Sequence, residues 1–570
     1  MRGAFALAML VACGDNLPGD HCSTWGQWGN SAAHDGATCA RGQALERELA
    51  NLVLDPFVAE EAADAQGSLL VHYQSPLVDG DFVYTMSKGG IYTPLTDPPD
   101  PYSRHSQTWI ERGLRWEGNA LVEQWTFVTD WKPPPELRFE PMFQPALAGD
   151  RIAVPAAGGT LFLLDRKTGD LIERINPFAS IDADTYVAGG IAAAPDGTLY
   201  YNTVTLAHER PFTGADARGS LVQVSPDGST RMLDYSTLIP NAPAANADCE
   251  ITFDPMTTPR PWPPAPNPDG TQVLPPRRPC GTQRAGINST PAIGADGTLF
   301  VVTRAHFNGR YSYVAALAPD LSLLWSSSLR DRLDDGCGIT LPADAPDGTD
   351  TASACRIGAT LGVDPETNAR PAAIVDDNSS SSPVALPDGG VLYGALTRYN
   401  ARRGHLLKLS ADGAITGSHD FGWDTTPAVF TEGSDYRIVI KDNKYGRDSN
   451  GVAWGPFFVM HLDANLDPIW RFANTETMNC LRAPDGTIQC IDDHPGGFEW
   501  CINAPAVDRD GVTYGNAEDG WVYAINPDGS LRERFFLERA LGAAYTPLAI
   551  DGRGRIYAMN NGRLIVVGAN

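Results

Sequence analysis

A chain of 570 residues with 69 acidic against 43 basic side chains carries a formal net charge of −26. That balance excludes nucleic-acid binding, which rests on clustered Lys and Arg, and reads as a source of solubility. The 57 glycines and 45 prolines are spread too evenly for a disordered tract. Among so many aromatic and β-branched residues, they predict many short strands joined by turns.

At the N-terminus a single positive charge, Arg2, precedes an uncharged, mostly apolar run over residues 4–12. The run is too short to span a bilayer, which needs ~20 residues, and fits the hydrophobic core of a secretory signal. It ends in Leu10-Val11-Ala12-Cys13, which resembles the bacterial lipobox, followed by the polar Gly14-Asp15-Asn16. The expectation is a signal peptide over 1–12, lipid attachment at Cys13, a tether over 13–42 and one globular domain over 43–570. No later segment is apolar enough to cross a membrane.

Besides Cys13 the chain has Cys22, Cys39, Cys249, Cys280, Cys337, Cys355, Cys480, Cys490 and Cys501. Their number fits an oxidising compartment, and their clustering predicts Cys22–Cys39, Cys249–Cys280 and Cys337–Cys355. Two of Cys480, Cys490 and Cys501 should pair, leaving one free; spacing does not say which. No Cys-x-x-Cys occurs, so neither a cysteine metal site nor covalently attached haem is expected.

One phrase recurs along the chain: a small residue and Pro, an apolar stretch, Asp-Gly, then an alternating apolar run. Its eight copies are anchored at Pro76, Pro145, Ile191, Pro291, Pro383, Pro427, Pro505 and Pro547. Asp-Gly supplies the positive φ of a tight hairpin, and the alternation is that of half-buried strands. A second hairpin often follows, as around Pro527-Asp528-Gly529. Two hairpins make the four antiparallel strands of a propeller blade. The spacings 145 to 191, 383 to 427 and 505 to 547 match the ~40–50 residues of known blade repeats. Longer gaps then hold one blade plus an insertion, the Pro-rich stretch 239–281 among them. The prediction is an all-β propeller of eight blades, or seven if one weak copy is misread. The last copy has room for three strands only; residues 47–53 could supply the fourth and close the ring, or 43–53 could form a short amphipathic helix.

Leu163-Leu164-Asp165-Arg166-Lys167-Thr168-Gly169 resembles the repeat of the pyrroloquinoline-quinone-type propeller family. So do Trp125, Trp325 and Trp470, placed after Ala120-Leu121, Asp320-Leu321 and Asn465-Leu466. Glu173, Met232, Gly417 and Glu533 stand at that place in other copies. The opening Trp25-Gly26-Gln27-Trp28-Gly29-Asn30 and His34-Asp35-Gly36 are similar to the family's opening phrase. The resemblance implies a quinoprotein-like fold and two kinds of function. One is dehydrogenation with pyrroloquinoline quinone (PQQ) and calcium. The other is cofactor-free protein binding, as in the scaffold lipoprotein of the outer-membrane barrel-assembly machinery. Several dehydrogenases of the family carry adjacent cysteines, and no Cys-Cys exists here; nor does a Glu/Asn/Asp set fall on any motif. Fold alone does not license the activity. The expectation is a binding or scaffold lipoprotein of the cell envelope, periplasmic or on the outer surface, with an envelope protein or extracellular ligand as partner and no cofactor. The alternative is a PQQ-dependent or glycan-active enzyme.

Three segments are candidate sites. Asp492, Asp493, His494 and Glu499 could surround a hard metal or a sugar, or face water as a disulfide-tied loop. Asp344, Asp347 and Asp350, around Gly348, offer oxygen ligands suited to calcium. Lys441-Asp442-Asn443-Lys444-Tyr445-Gly446-Arg447 reads as a local basic patch that could meet an anion, or as a solvated loop. No Gly-x-Ser-x-Gly elbow surrounds the run Ser379 to Ser382, which reads as a turn entering a strand. Trp125, Trp325 and Trp470 are expected to pack between blades.

Overall fold

The computed structural model describes residues 22, 24–94, 100–339, 355–397, 399, 403–422, 424–443, 446–447, 453–454, 457–483, 485–500, 502–541 and 547–569. Eight four-stranded antiparallel blades follow one another around a ring. In chain order they occupy 77–128, 146–175, 185–234, 283–328, 384–422, 428–474, 506–536 and 548–568. Each copy of the repeat enters the innermost strand of one blade. Blade 8 is completed by the strand Arg47–Val53, which pairs antiparallel with Arg563–Gly568. The segment is therefore a strand and not a helix, and the ring has no open sheet edge at its seam.

The Asp-Gly turns work as the composition predicts, with one refinement. In the turn 194–198 the Gly197 N–H donates to the Ala194 carbonyl and Ala194 N–H to the Thr198 carbonyl. Asp196 Oδ1 accepts the Thr198 N–H at 2.9 Å, and Gly197 supplies a φ of +87°. The aspartate thus fixes the turn while the glycine permits it. Throughout the ring, the turns joining strands one to two and three to four are two or five residues long. Because the strands are antiparallel, all these turns lie on one face of the ring. The connections from strand two to three, and from each blade to the next, lie on the opposite face and carry every long insertion. We call these the turn face and the loop face.

Residues 24–42, expected within the tether, run with Gln43 as a strap across the turn face and touch every blade in chain order. Thr24–Trp25 pairs with Val78 and Asp79 of blade 1. Gly26 accepts from Leu147 N–H at 2.8 Å. Gln27 and Ala193 bond reciprocally at 3.0 and 2.8 Å. Ile293, Ala385, Val429 and Val507 then donate in turn to the carbonyls of Ala32, Ala33, Asp35 and Gly36, and Gln43 N–H donates to Gly554. The inner strands' exposed backbone groups are thereby satisfied at that end of the channel.

Hydrophobic cores lie between neighbouring blades. Trp125, Trp325 and Trp470, on outer strands, each donate the indole N–H to a carbonyl in the next blade: Arg166, Ala411 and Pro527, at 3.0, 2.7 and 2.8 Å. The Gly of that blade's turn lies flat against each ring. A methyl group on Gly169, at φ +74°, would stand 2.6 Å from Trp125.

Disulfides join Cys22–Cys39, Cys249–Cys280, Cys337–Cys355 and Cys480–Cys490. The first fastens the strap and the other three staple loop-face insertions. Four such bonds are the mark of a chain that folds outside a reducing cytosol. Cys13, Cys501 and the Asp344 to Asp350 loop lie outside the described residues. Among the described residues no helix is long and apolar enough to cross a membrane.

Candidate functional site on the loop face

The loop face is organised around the residues just before each innermost strand. There the side chain of one blade accepts the backbone N–H of the blade before it. Ser75 N–H donates to Gln144 Oε1 at 2.7 Å, Gly190 N–H to Thr290 Oγ1 at 2.9 Å and Thr290 N–H to Ser382 Oγ at 3.0 Å. Ser382 N–H donates to Thr426 Oγ1 at 3.1 Å, and Thr426 N–H to Asn503 Oδ1. This explains the small polar residue before Pro in the repeat: it is the rivet between adjacent inner strands. The run Ser379 to Ser382 serves here as part of the frame, all four residues being buried.

Beside this ring sits Asp424, buried at 1% exposure of its side chain and 3.2 Å from Lys441 Nζ. Its other oxygen, Oδ2, accepts from Ser380 N–H and Asn503 Nδ2, both at 3.0 Å. The stretch Lys441-Asp442-Asn443, expected in a solvated basic loop, is instead the buried end of the strand Asp435–Asn443. The Asn443 side-chain amide donates to the Trp500 carbonyl at 3.0 Å and accepts the Trp500 N–H at 3.1 Å. Lys444 and Tyr445 lie outside the described residues. Lys441 thus neutralises Asp424 within the frame, and both oxygens of the carboxylate are engaged.

A second buried pair lies between blades 4 and 5. Arg284, wholly buried, grips Asp377 with two bonds of 2.8 and 2.7 Å, and Arg304 adds a third at 2.9 Å. Burial alone would raise the Asp377 carboxyl, but the two guanidinium groups hold it well below the usual range. The same burial, with Arg284 alongside, pushes His306 down to about 3.

The third centre has no counterpart among the sequence candidates. Lys88, on the strand Phe82–Gly90, places its buried Nζ 2.9 Å from Asp55, 2.8 Å from Glu61 and 2.8 Å from Glu140. The carboxylates come from the connection between blades 8 and 1 and from that between blades 1 and 2, so the lysine ties three parts of the ring. Burial would lower the Lys88 ammonium, but its three partners carry it above its ordinary value. Burial outweighs Lys88 at Glu61, which is pushed up to about 8; Asp55 is held low by Lys88 against its burial. A cavity of about 270 Å³ opens beside this cluster.

Of the remaining candidates, Asp493 and His494 meet: Asp493 Oδ1 pairs with His494 Nδ1, and Asn479 Nδ2 donates to Oδ2 at 3.0 Å. The His494 ring stacks on Phe498 at 4.1 Å. Asp492 stays exposed on the hairpin formed by Met478–Arg482 and Ile488–Asp492. Glu499 takes its place beyond Phe498, its carbonyl accepting the Glu518 N–H. Among the described residues no three His, Cys, Asp or Glu side chains are placed to share a metal ion.

No protein-family model matches the sequence, and no curated protein matches it. Solved structures do. The chain is similar to a quinohemoprotein alcohol dehydrogenase from Comamonas testosteroni at 10% identity and a TM-score of 0.49, over 97% of this chain and 82% of that one. It is similar to a europium-containing methanol dehydrogenase at 11% identity and 0.46, over 94% and 89%. It is also similar to BamB from Moraxella catarrhalis at 11% identity and 0.40, over 92% and 99%. The likeness is one of architecture. The eight blades rest on the strand pairing itself, and the chemistry of those proteins is not carried across.

Proposed function

We propose that this is an exported, lipid-anchored envelope protein that binds a partner through its loop face and performs no quinone chemistry. The observation that carries this reading is where exposed apolar surface lies. Among the described residues, the large apolar side chains left in solvent fall on outer strands or on loop-face insertions. The latter include Met256 at 89%, Ile357 at 74%, Leu361 at 70% and Ile491 at 61% exposure; the short turns of the opposite face carry none. Insertions displayed by a rigid scaffold are where binding is usually built, and exposed apolar groups there favour a protein partner.

PQQ with calcium fits the described residues poorly. Two buried carboxylates beside the inner-strand ring are spent: Asp424 on Lys441, Asn503 and Ser380, and Asp377 on two arginines. Asn503 Oδ1 is engaged by the Thr426 N–H. A divalent ion would have to displace these partners, leaving Lys441 or Arg284 buried and uncompensated.

The anchor at Cys13 rests on the lipobox-like sequence and on the four disulfides. Cys22 is fastened to Cys39 of the strap, so a lipid on Cys13 would hold the turn face towards the membrane. The loop face then points away from the membrane. Photo-crosslinkers at Ile491 and Ile357 are expected to capture the same envelope protein, while one in the turn 149–150 captures none. Equal capture from both faces overturns the reading, as does a stoichiometric quinone or dehydrogenase activity restored by PQQ and calcium. Lipid labelling lost in Cys13→Ala supports the anchor; equal labelling refutes it.

A further inference from the structure

We infer that the cavity beside Lys88 is a binding site for a small organic cation, an amine or guanidine, held by buried acceptor oxygens of Glu61, Glu140 and Gln107. All three residues line the same cavity of about 270 Å³. Glu140 is 1% and Glu61 10% exposed in its side chain, and Gln107 is 1% exposed. Each carboxylate spends one oxygen on Lys88 Nζ at 2.8 Å. The other oxygen of each, Glu61 Oε2 and Glu140 Oε1, is buried without a hydrogen-bond partner, and so is Gln107 Oε1. Buried polar atoms are nearly always satisfied, and leaving one unmade costs about 1–3 kcal/mol. Three such acceptors on one cavity are a demand for N–H donors.

Charge gives the same answer. Asp55, Glu61, Glu140 and the cavity-lining Asp64 face Lys88, Arg104 and the cavity-lining Arg138, so the cluster carries one net negative charge once all are ionised. Arg104 is partly committed elsewhere, donating to the carbonyls of Leu137 and Arg138 at 2.7 and 3.1 Å. Tyr92 also lines the wall and donates to Asp64. A metal ion is a poorer occupant, because the Lys88 ammonium already stands among the carboxylates at the place an ion would take. The cation argued for sits beside Lys88, on the far oxygens. This site goes beyond partner binding at the loop face and does not depend on it.

The test titrates the folded protein with putrescine and agmatine, with butanediol as the uncharged analogue and calcium chloride as the metal. Calorimetry and thermal shift are the readouts. The amines are expected to bind saturably and raise Tm while butanediol does neither. Binding should weaken about tenfold or more in Glu61→Gln and in Gln107→Leu, each removing one acceptor charge or oxygen. Glu61, pushed up to about 8 by burial and by Glu140 and Asp55 against the pull of Lys88, should ionise as a cation arrives, so that binding at pH 7 releases protons to the buffer. Matching responses to putrescine and butanediol overturn the site. So does saturable calcium binding with none for either amine, or no amine binding by ~10 mM, a concentration at which even very weak sites fill. The butanediol comparison uses wild-type protein alone, so a variant that fails to fold leaves it intact.

Discussion

The indole N–H of Trp125 donates to the carbonyl of Arg166 across the junction of blades 1 and 2, at 3.0 Å, with Gly169 flat against the ring. Replacing Trp125 with Ala empties a large buried volume and strands that carbonyl, and should cost ~3–5 kcal/mol. Trp125→Phe keeps part of the packing and loses only the donor, so its cost should be about 1–2 kcal/mol. Urea denaturation of both variants checks the order. Equal costs would mean that the hydrogen bond carries the junction.

Truncation should separate the strap from the seam. A chain beginning at residue 43 retains Arg47–Val53, keeps blade 8 closed and should fold with a lowered Tm. A chain beginning at residue 54 leaves the edge of Arg563–Gly568 unpaired and should aggregate. Size-exclusion chromatography distinguishes them, and a monomeric shorter chain would show that the closing strand is dispensable.

Two buried groups should give stability opposite slopes with pH. His34, fully buried and bonded to the Pro383 carbonyl at 2.8 Å, is lowered to about 4 by burial. The unfolded chain takes up its proton first, so stability falls as pH drops from about 6.5 to 4, by at most about 3 kcal/mol from this group. His34→Asn, which tolerates the φ of +62° there and retains a donor, should flatten that fall in Tm.

Glu111 works the other way. It is buried with Gln74 Nε2 3.2 Å from its carboxyl, and burial raises it to about 8. Here the folded state holds the proton, so stability falls as pH rises from about 4.5 towards 8. Glu111→Gln should be close to neutral at pH 4.5 and should stabilise at pH 8 by up to about 4 kcal/mol. A variant no more stable than wild type at pH 8 would count against a buried, protonated carboxyl.

The Cys480–Cys490 disulfide staples a hairpin that packs largely outside the ring. Replacing both cysteines with Ser should leave the Tm of the propeller within ~2 °C. Cleavage by a protease between Met478 and Asp492 should nonetheless rise several-fold. A global loss of stability would show that the hairpin is integral to blades 6 and 7.

Much of the ring was legible because one local phrase repeats: Pro before the strand, Asp-Gly after it, and Trp where the next blade docks. Even the closing strand could be read at 47–53, because the final copy lacks one. The buried charges were not legible, since they have no shared motif. Asp55, Glu61 and Glu140 come from separate connections and meet only when blades 8, 1 and 2 assemble. The one available signal was Lys88 itself, a charge inside the strand Phe82–Gly90, whose neighbouring positions are apolar or small. Lys441 misled for the opposite reason. Grouped with Lys444 and Arg447 it looks like a basic surface loop, yet the strand Asp435–Asn443 is buried on both sides of its far end.

The strap and seam also set the order in which the molecule can be completed. Gln43 accepts a hydrogen bond from Ala569, 526 residues away along the chain, and Arg47 pairs with Gly568. The strand Arg47–Val53 therefore has no partner strand until Arg563–Gly568 has been made. Contacts of such separation form slowly and leave partly assembled chains exposed to aggregation. The ring can lock only once both of these strands exist, so a chain that lacks either one stays open at its seam and exposed to proteolysis.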